Sequence, residues 1–425
     1  MTVPSTSSRV VVVGQGYVGL PLAMRAVEAG HRVVGYDADE ARASRLAGGD
    51  SFVEDVPSDV LEAALRSGRY EVTADPELCA AFDVAVITVP TPLREGIPDL
   101  SYIESATTEL GRHVRRGCTV VLESTTYPGT TEELVGPALE AASHLKPGVD
   151  FHLGYSPERI DPGNRQWTFR TTPKVVSGID EASLAAVKAF YDTLVDRTVP
   201  VSGTREAELT KLLENTFRHV NIALVNELTM FARDLDIDVW EAIEAASSKP
   251  FGYMKFTPGP GVGGHCLPID PSYLSWRVMR SLGRSFRFVE LANDVNDHMP
   301  DYVIQRVGVA FNRERRAVNG SDVLLIGLAY KRNTGDARES PSLIVAARLL
   351  DLGASVSACD PYVSDEQLDS RIRRVELSTA ELEKADAVVI LTDHDHFDFA
   401  LIAEHARFVL DTRHRLPAGA NIEYL

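Results

Sequence analysis

The sequence predicts an α/β chain with two doubly wound parallel-sheet domains, joined by a long central helix and a helical dimerisation region. Buried parallel strands read as continuous apolar runs, and such runs occur at residues 9–13 (RVVVV) and 323–328 (VLLIGL). Residues 204–235 form a helical pattern without glycine or proline. Because 425 residues exceed one ordinary domain, we predict regions at 1–200, 201–305 and 306–425.

Composition and charge limit the classes of function. A hydrophobic content of 44% with 24% charged residues is typical of a water-soluble globular protein, and a net charge of −18 argues against nucleic-acid and anionic-membrane partners. The first nine residues lack a secretory h-region, and no apolar run is long enough to span a membrane. The cysteines are scattered, which predicts reduced thiols in a cytoplasmic protein; they are Cys79, Cys118, Cys266 and Cys359.

The first predicted strand, residues 9–13, runs directly into a glycine-rich turn and a helical run that ends at Ala29. A second strand, residues 31–36, ends in Asp37, whose carboxylate can bind a ribose 2′-hydroxyl and repel a 2′-phosphate. This order predicts a Rossmann-like domain that binds NAD rather than NADP; the alternative is a glycine turn that binds nothing. Arg42 either contacts the adenosine part or is solvated. The predicted cofactor-binding residues here are Gly14, Gly16, Tyr17, Val18, Gly19, Asp37 and Arg42.

Further strands, at residues 83–88 and 119–123, end in polar turns. In doubly wound sheets, ligands lie beyond the carboxyl ends of the strands. Thr91, Ser124 and Thr125 are therefore placed to meet the cofactor or the substrate. The alternative for each is ordinary turn chemistry.

Glu158 lies in a loop between two more predicted strands, residues 151–155 and 174–178. It is either a carboxylate in a cleft or a solvated acid. In the central helix, Lys211 and Asn215 are four residues apart and share a face. The alternatives are an exposed lysine and an asparagine that makes hydrogen bonds in the core.

The central helix is predicted to be long and widely apolar. About thirty residues span on the order of 45 Å, which is more than one small domain needs. Apolar residues cover more than one stripe, so we expect burial on several sides. We therefore expect this helix to join two domains and to form the interface of a homodimer.

The loop at residues 257–270, TPGPGVGGHCLPID, holds four glycines and three prolines. This composition predicts a rigid, unusual loop that lets a ligand or another chain segment come close to its backbone. We predict that this loop presents Cys266, with Asp270 four residues later, as a reactive thiol. The alternatives are a buried apolar cysteine and a zinc site with His265; since no C-x-x-C occurs, we predict no metal.

The C-terminal third predicts a second α/β unit. After the strand at residues 323–328 come a polar loop, a helical run and a strand, residues 355–359, that ends in Asp360. The unit lacks a full G-x-G-x-x-G, so we expect it to bind a different ligand. Lys331, Arg332 and Arg338 are placed to hold a diphosphate or carboxylate, or else form a solvated basic loop.

Four motifs in this order resemble the UDP-glucose/GDP-mannose dehydrogenase family over essentially the whole chain, from Gly14 to Arg413. They are YSPERIDPGN, ELTKLLENTFR, GPGVGGHCLPID and LAYKRNTGDARESP. The resemblance implies an NAD-binding domain at 1–200, a central dimerisation domain at 201–305 and a UDP-sugar-binding domain at 306–425. It implies a UDP-sugar as substrate and a role in polysaccharide biosynthesis.

The resemblance also implies roles for individual residues. Cys266 is similar to the family's nucleophile, and Lys211, Asn215 and Asp270 match its partners around the oxyanion and the water. Glu158 matches a glutamate of thioester hydrolysis, and Thr125 a threonine that positions water. Lys331 matches a substrate-binding lysine and Arg338 an arginine near the cofactor. The expected substrate-binding residues are Glu158, Arg159, Lys211, Asn215, Gly263 and Lys331.

The expected reaction is oxidation of the sugar C6 alcohol to a carboxylate with two NAD, through a thiohemiacetal and a thioester on Cys266. The loop and the YSPERIDPGN motif look most like the UDP-N-acetylhexosamine branch, and UDP-N-acetylglucosamine is favoured. UDP-N-acetylmannosamine, UDP-N-acetylgalactosamine and UDP-glucose stay open. Two departures are Lys249 and Lys255 where the UDP-glucose enzymes have an arginine, and His414 where an asparagine often stands. The rival functions are a single-step hydroxyacid dehydrogenase and a non-enzymatic nucleotide-sugar sensor.

Overall fold

The computed structural model of the protein describes residues 7–94, 96–160, 164, 166–264, 267 and 269–425. The chain divides into two compact units, Met1–Glu214 and Asn215–Leu425. Each unit is built on its own β-sheet, and both sheets carry the Rossmann-like strand order that the sequence predicts. The three-region division by residue number stays a prediction.

The first unit contains an eight-stranded sheet in the order β10-β9-β8-β7-β4-β1-β2-β3, and β5 and β6 form a separate hairpin. Strands β1 to β4, β7 and β8 run parallel, as predicted, but β9 pairs antiparallel to β8. The strands are β1 (Arg9–Val13), β2 (Arg32–Tyr36), β3 (Tyr70–Thr73), β4 (Val84–Ile87), β5 (Leu93–Arg94), β6 (Ile97–Pro98), β7 (Thr119–Leu122), β8 (His152–Tyr155), β9 (Lys174–Gly178) and β10 (Thr198–Pro200).

Helices cover both faces of this sheet. Along β1, Val10 and Val12 belong to one apolar cluster and Val11 and Val13 to the other, because successive side chains of a strand point to opposite faces. Burial on both faces explains why the strand is valine from residue 10 to residue 13. The helices are α1 (Gly19–Glu28), α2 (Glu40–Ala47), α3 (Ser58–Arg66), α4 (Ser101–Gly111), α5 (Gly136–Ser143), α6 (Glu181–Tyr191) and α7 (Thr204–Asp234), which continues into the second unit.

The second unit contains a six-stranded parallel sheet in the order β13-β12-β11-β14-β15-β16. Apolar clusters lie on both of its faces. Its strands are β11 (Asp322–Ile326), β12 (Ser355–Cys359), β13 (Arg373–Arg374), β14 (Ala387–Ile390), β15 (Val409–Asp411) and β16 (Ile422–Tyr424). Its helices are α8 (Val239–Ser247), α9 (Asp270–Leu282), α10 (Arg287–Arg313), α11 (Pro341–Asp351), α12 (Thr379–Lys384) and α13 (Phe399–His405).

Each unit uses a carboxylate at the end of its second strand to fix the turn after its first strand. In the second unit, Asp360 accepts hydrogen bonds from the N–H groups of Leu328 (2.6 Å) and Ala329 (3.1 Å). His394 Nε2 lies 3.0 Å from the same carboxylate and is fully buried. Because these hydrogen bonds lower the pKa of Asp360, the group is a carboxylate that serves the fold.

The long helix α7 forms as predicted, but its apolar surface is only partly covered within one chain. Leu224, Leu228 and Phe231 are exposed, and so is Leu235, which directly follows the helix. Among the described residues, none of the helices is both long and apolar enough to cross a membrane.

Candidate active site

The turn after β1 has the geometry of a dinucleotide-binding site. The Gly14 N–H donates to the Tyr36 carbonyl (2.7 Å), and Thr88 Oγ1 donates to the Gly14 carbonyl (2.9 Å). A Cβ at Gly19 would lie 1.8 Å from the Gly14 oxygen, so only glycine lets α1 begin this close to the turn. A Cβ at Gly16 would meet no atom of the described residues within 4 Å, which leaves room for a pyrophosphate against the backbone.

Asp37 lies at the end of β2, and its orientation is fixed by its neighbours. It is 5% exposed and accepts hydrogen bonds from the N–H groups of Gln15 (2.9 Å) and Asp39 (3.1 Å). Arg42 Nη1 lies 3.3 Å from the Asp37 carboxylate, so Arg42 supports the acid, a role that the sequence did not predict. These residues fit the ribose end of NAD.

Gln15 is a residue of this turn that sequence reasoning missed. Its side chain is fully buried, donates to the Val12 carbonyl (2.8 Å) and accepts from the Tyr70 hydroxyl (2.7 Å). A polar side chain among glycines, directly after a buried strand, was the available signal. Through Tyr70, Gln15 holds the turn against β3. Its side chain does not occupy the space at Gly16.

The ends of β4 and β7 are tied together at the same edge of the sheet. Ser124 Oγ donates to the Val89 carbonyl (2.8 Å), so the turn chemistry considered for Ser124 is present. Thr91 and Thr125 are half-buried beside it. Contacts of Thr91, Ser124 and Thr125 with a cofactor stay predictions.

A buried cluster of charged side chains lies at this edge. Lys174 Nζ forms an ion pair with Glu123 and lies 3.6 Å from Glu158 Oε2. The Tyr191 hydroxyl donates to Glu123 Oε2 (2.7 Å), and Lys174 and Glu123 are almost fully buried. Sequence reasoning singled out Glu158 but missed the other members. The available signals were an acid, Glu123, directly after the apolar strand β7 and a lysine, Lys174, as the first residue of the apolar strand β9.

The surroundings of Glu123 and Glu158 move the pKa values of these two carboxyl groups in opposite directions. Burial raises the pKa of Glu123 to about 7. Burial acts in the same direction on Glu158, but the Lys174 ammonium, the Ile160 N–H and the Lys211 ammonium outweigh it, so the pKa of Glu158 is lowered. Lys211 is 8% exposed, so the alternative that it is an exposed lysine is excluded. Its charge lowers the pKa of Glu158.

Arg159 follows Glu158 and is engaged within the first unit. Its guanidinium forms an ion pair with Glu214 and donates from Nη1 to the Pro173 carbonyl (2.6 Å). The structure thus gives Arg159 a place in holding the loop after β8. Its predicted contact with the substrate stays a prediction.

In the second unit, Asn215 and Asp270 are in contact; their roles around the oxyanion and the water stay predictions. Asn215 Nδ2 donates to Asp270 Oδ2, and the two residues are 5% and 3% exposed. Asp270 is the first residue of α9. The hydrogen bond fixes the side-chain amide of Asn215, so its remaining polar atoms have a defined direction.

The glycine-rich loop packs against the loop that carries Lys331. Gly264 has φ +86°, and a Cβ there would lie 2.7 Å from the Tyr330 ring. A Cβ at Gly263 would lie 2.7 Å from the Glu339 carbonyl. The two glycines therefore let this loop approach the segment that begins at Tyr330 and Lys331. Cys266, the predicted nucleophile, and His265 lie outside the described residues.

The basic residues of this unit have distinct surroundings. Arg338 forms a two-point ion pair with Asp336 (2.9 and 2.7 Å), and Arg332 pairs with Asp395. Arg413, which sequence reasoning gave no role, would lie 2.8 Å from a Cβ at Gly259. A guanidinium next to the glycine-rich loop is a further group able to meet an anionic ligand.

His414 takes part in an aromatic stack. Its ring lies 4.9 Å from Trp240 at an interplanar angle of 11° and 4.3 Å from Tyr424. At the position where the family often has asparagine, this chain therefore uses the side chain for packing.

A glycine turn with room at Gly16, followed by an oriented acid at Asp37, defines a dinucleotide-binding domain of the kind that NAD-dependent enzymes use. Three domain descriptions match the chain: "UDP-glucose/GDP-mannose dehydrogenase family, NAD binding domain" at residues 8–195, "central domain" at 205–298 and "UDP binding domain" at 324–418. The chain belongs to the UDP-glucose/GDP-mannose dehydrogenase family and is an NAD-dependent UDP-sugar dehydrogenase.

Relatives across the whole chain differ in the sugar named. The chain is 36% identical to a UDP-N-acetyl-D-glucosamine 6-dehydrogenase of Pseudomonas aeruginosa, over 92% of this chain and 91% of that protein. It is 34% identical to an NDP-N-acetyl-D-galactosaminuronic acid dehydrogenase of Ralstonia nicotianae, over 95% of each. The structure of a UDP-D-ManNAc dehydrogenase from Pyrococcus horikoshii matches with a TM-score of 0.89 and 33% identity, over 98% of each chain.

Proposed function

We propose that this enzyme oxidises the C6 hydroxymethyl group of UDP-N-acetylglucosamine to a carboxylate, through a thiohemiacetal and a thioester on Cys266. The observation that carries the proposal is the buried Asn215–Asp270 pair beside the glycine-rich loop that contains Cys266, in a chain of this family. The sugar is chosen because the loop and the YSPERIDPGN motif resemble the N-acetylhexosamine branch. The same reaction on UDP-N-acetylmannosamine, UDP-N-acetylgalactosamine or UDP-glucose is the alternative.

NAD bound at the Gly14–Gly19 turn and at Asp37 supplies the hydride acceptor for each oxidation. The Cys266 thiolate adds to the C6 aldehyde carbon, and a C–S bond forms. The Lys211 ammonium stabilises the negative charge that develops on the oxygen, and it favours the thiolate. Asn215, oriented by Asp270, donates a further hydrogen bond.

Hydrolysis of the thioester releases the product. Ionised Glu158 takes a proton from the attacking water, the new C–O bond forms, and the C–S bond breaks with the electron pair leaving on Cys266. Thr125 positions the water. In this proposal Lys331, Gly263 and Arg159 bind the UDP-sugar, and Arg338 binds the cofactor.

The test is NADH formation across a panel of the four UDP-sugars, with mass spectrometry of each product. Two NADH per sugar and the mass of the uronic acid are expected, with the highest kcat/KM for UDP-N-acetylglucosamine. One NADH per sugar with free aldehyde released would contradict the two-step route. Tight UDP-sugar binding without NADH would instead favour the sensor, and turnover of simple hydroxyacids would favour the hydroxyacid dehydrogenase.

We infer that the enzyme is a homodimer that buries one side of α7 against a second copy of the chain. Phe217, Leu224, Leu228 and Phe231 are all exposed, and their spacing places them on one side of the helix. A contiguous apolar stripe of this kind marks an interface. A second copy is the occupant, because an isologous contact lets the same stripe cover itself.

Leu228→Asp is expected to convert the dimer to a monomer, because a carboxylate would be buried in the contact without a partner. Sedimentation velocity at micromolar concentration measures this change. Leu352→Asp is the matched control, since Leu352 is 46% exposed and Leu228 45%, and Leu352 lies outside the stripe. A wild-type protein that sediments as a monomer would contradict the dimer.

We also propose a cytoplasmic location. Cys79, Cys118 and Cys359 are buried free thiols, which suits a reducing compartment. Cell fractionation followed by detection of the full chain tests this location, and recovery from the secreted or membrane fraction would contradict it.

A further inference from the structure

The reversal of β9 brings a lysine to the edge of the first sheet where ligands bind. Because β9 runs antiparallel to β8, with Tyr155 paired to Ser177 and Gly154 to Gly178, the first residue of β9 extends past the carboxyl end of β8. That first residue is Lys174, and the carboxylates of Glu123 and Glu158 follow β7 and β8. One ammonium therefore lies between two carboxylates at the carboxyl edge of the sheet.

We propose that Lys174 is a positioning residue that holds Glu158 in place and ionised for thioester hydrolysis. The proposal rests on the proposed function, since that function assigns the hydrolytic step to Glu158. It adds Lys174, with Glu123 as its anchor, to the groups on which that step depends.

The contacts of Lys174 fix both the side chain and the loop of Glu158. Lys174 Nζ donates to the Pro157 carbonyl (3.1 Å) and lies 3.6 Å from Glu158 Oε2. In the opposite direction, Arg159 donates to the Pro173 carbonyl (2.6 Å). The residues on either side of Glu158 are thus bonded to Lys174 and to the residue before it, so the loop cannot move without breaking both contacts.

Glu123 and Tyr191 keep the ammonium where it is. Lys174 forms an ion pair with Glu123, whose side chain is fully buried, and Glu123 accepts the Tyr191 hydroxyl (2.7 Å). Lys174 Nζ also lies 5.3 Å from the Tyr191 ring centre. These partners hold the Lys174 ammonium in one position. In that position it faces the Glu158 carboxylate of the loop after β8.

The charged groups around Glu158 determine the direction in which its pKa should change in each variant. Lys174 acts from β9, Lys211 from α7 and Glu123 from the end of β7, while Tyr191 on α6 acts through Glu123. Burial favours protonated Glu158, and the two ammonium groups favour the carboxylate. Loss of Lys174 therefore raises the pKa of Glu158.

Loss of Lys174 should slow one chemical step, the hydrolysis of the thioester. Protonated Glu158 cannot accept the water proton, so the C–O bond forms slowly and the acyl group stays on Cys266. The two oxidations that precede this step do not need Glu158 as a base. Lys174→Met is therefore expected to give a burst of two NADH per site, followed by release of acid slowed roughly 10²-fold or more.

The experiment compares Lys174→Met, Lys174→Arg and Glu123→Gln with wild type. Intact-protein mass spectrometry after mixing with UDP-N-acetylglucosamine and NAD, then acid quench, detects the acyl adduct. Lys174→Met should accumulate the acyl adduct, and the acid limb of its pH–rate profile for release of the uronic acid should move to higher pH. Lys174→Arg should restore most of the wild-type release rate and most of the wild-type pH dependence. Lys188→Met is the control, because the Lys188 side chain is 42% exposed and pairs with Asp192.

Glu123→Gln tests the same idea from the other partner of Lys174. Burial raises the pKa of Glu123 to about 7, so Glu123 is already protonated where Glu158 titrates, and the neutral amide should leave the acid limb at its wild-type position. Lys174→Gln, which removes the charge but keeps a hydrogen-bond donor, carries the test if Lys174→Met does not fold, and its acid limb should move to higher pH. A merely structural role of the cluster would lower stability in the Lys174 and Glu123 variants without moving the acid limb in the Lys174 variants.

NMR titration of ¹³C-labelled glutamate separates this inference from the proposed function. The Glu158 resonance, assigned by its loss in Glu158→Gln, should titrate at higher pH in Lys174→Met whether or not the protein oxidises any sugar. An unchanged titration, with the wild-type acid limb and no adduct, would overturn the role of Lys174. A wild-type protein that makes no acid, with the titration shifted, would overturn the proposed function and leave the role of Lys174 in ionising Glu158 standing.

Discussion

Cys266→Ala and Cys266→Ser are each expected to lower formation of the uronic acid by roughly 10³-fold or more, the scale of losing a covalent nucleophile. Neither side chain supplies a thiolate to trap the aldehyde, so the C–S bond on which the second oxidation depends cannot form. Mass spectrometry of the product and NADH counted per sugar measure the effect.

The other cysteines cannot replace Cys266. Cys79, Cys118 and Cys359 are buried, and burial raises the pKa of Cys79 to about 12 and of Cys359 to about 11. They stay protonated near neutral pH. Cys118→Ala is the matched control and should keep full acid formation. Wild-type rates in Cys266→Ala would contradict the thioester route and would favour a single-step dehydrogenase.

Gly16→Ala is expected to raise the KM for NAD roughly tenfold or more, a loss of about 1.4 kcal/mol or more in binding, without lowering the melting temperature. The structure has room for a Cβ at Gly16 among the described residues, and that room is where the pyrophosphate comes close to the backbone. Initial rates against NAD concentration and a thermal melt without NAD measure the two effects.

Gly19→Ala is the matched variant in the same turn, and it should behave in the opposite way. Its Cβ would lie 1.8 Å from the Gly14 oxygen, so the turn or α1 must shift, at a cost of about 3 kcal/mol of unfolding free energy. The thermal melt of Gly19→Ala should therefore fall without NAD. Equal melting temperatures for the two variants would contradict the assignment of Gly16 to the ligand and Gly19 to the fold.

The elements that the sequence predicted well are those whose cause is local. Continuous valine in β1 indicates burial on both faces, and the glycine turn with Asp37 depends on residues close together in the chain. The long helix α7 lacks glycine and proline, and it begins and ends within one residue of the predicted bounds. Resemblance then joined the separated motifs, including the Asn215 and Asp270 that the structure brings together.

The features that the sequence did not reveal depend on strand direction and on packing between distant segments. Residues 174–178 were predicted as a strand, but nothing local sets which way a strand runs in its sheet. The sequence predicted that α7 takes part in an interface, but it did not predict which apolar residues, such as Leu224 and Leu228, one chain leaves exposed. An apolar helix surface looks the same whether one chain or two will cover it.

The sequence by itself determined the fold class, the NAD-binding turn and the loop that holds Cys266, since glycines, prolines and apolar runs act through nearby backbone. Only the tertiary structure decided that Lys174 lies between Glu123 and Glu158 and that Lys211 is buried near them. The ionisation of Glu158 depends on charges contributed by segments far apart in the chain. Its value is therefore set by the folded arrangement and not by the residues beside it.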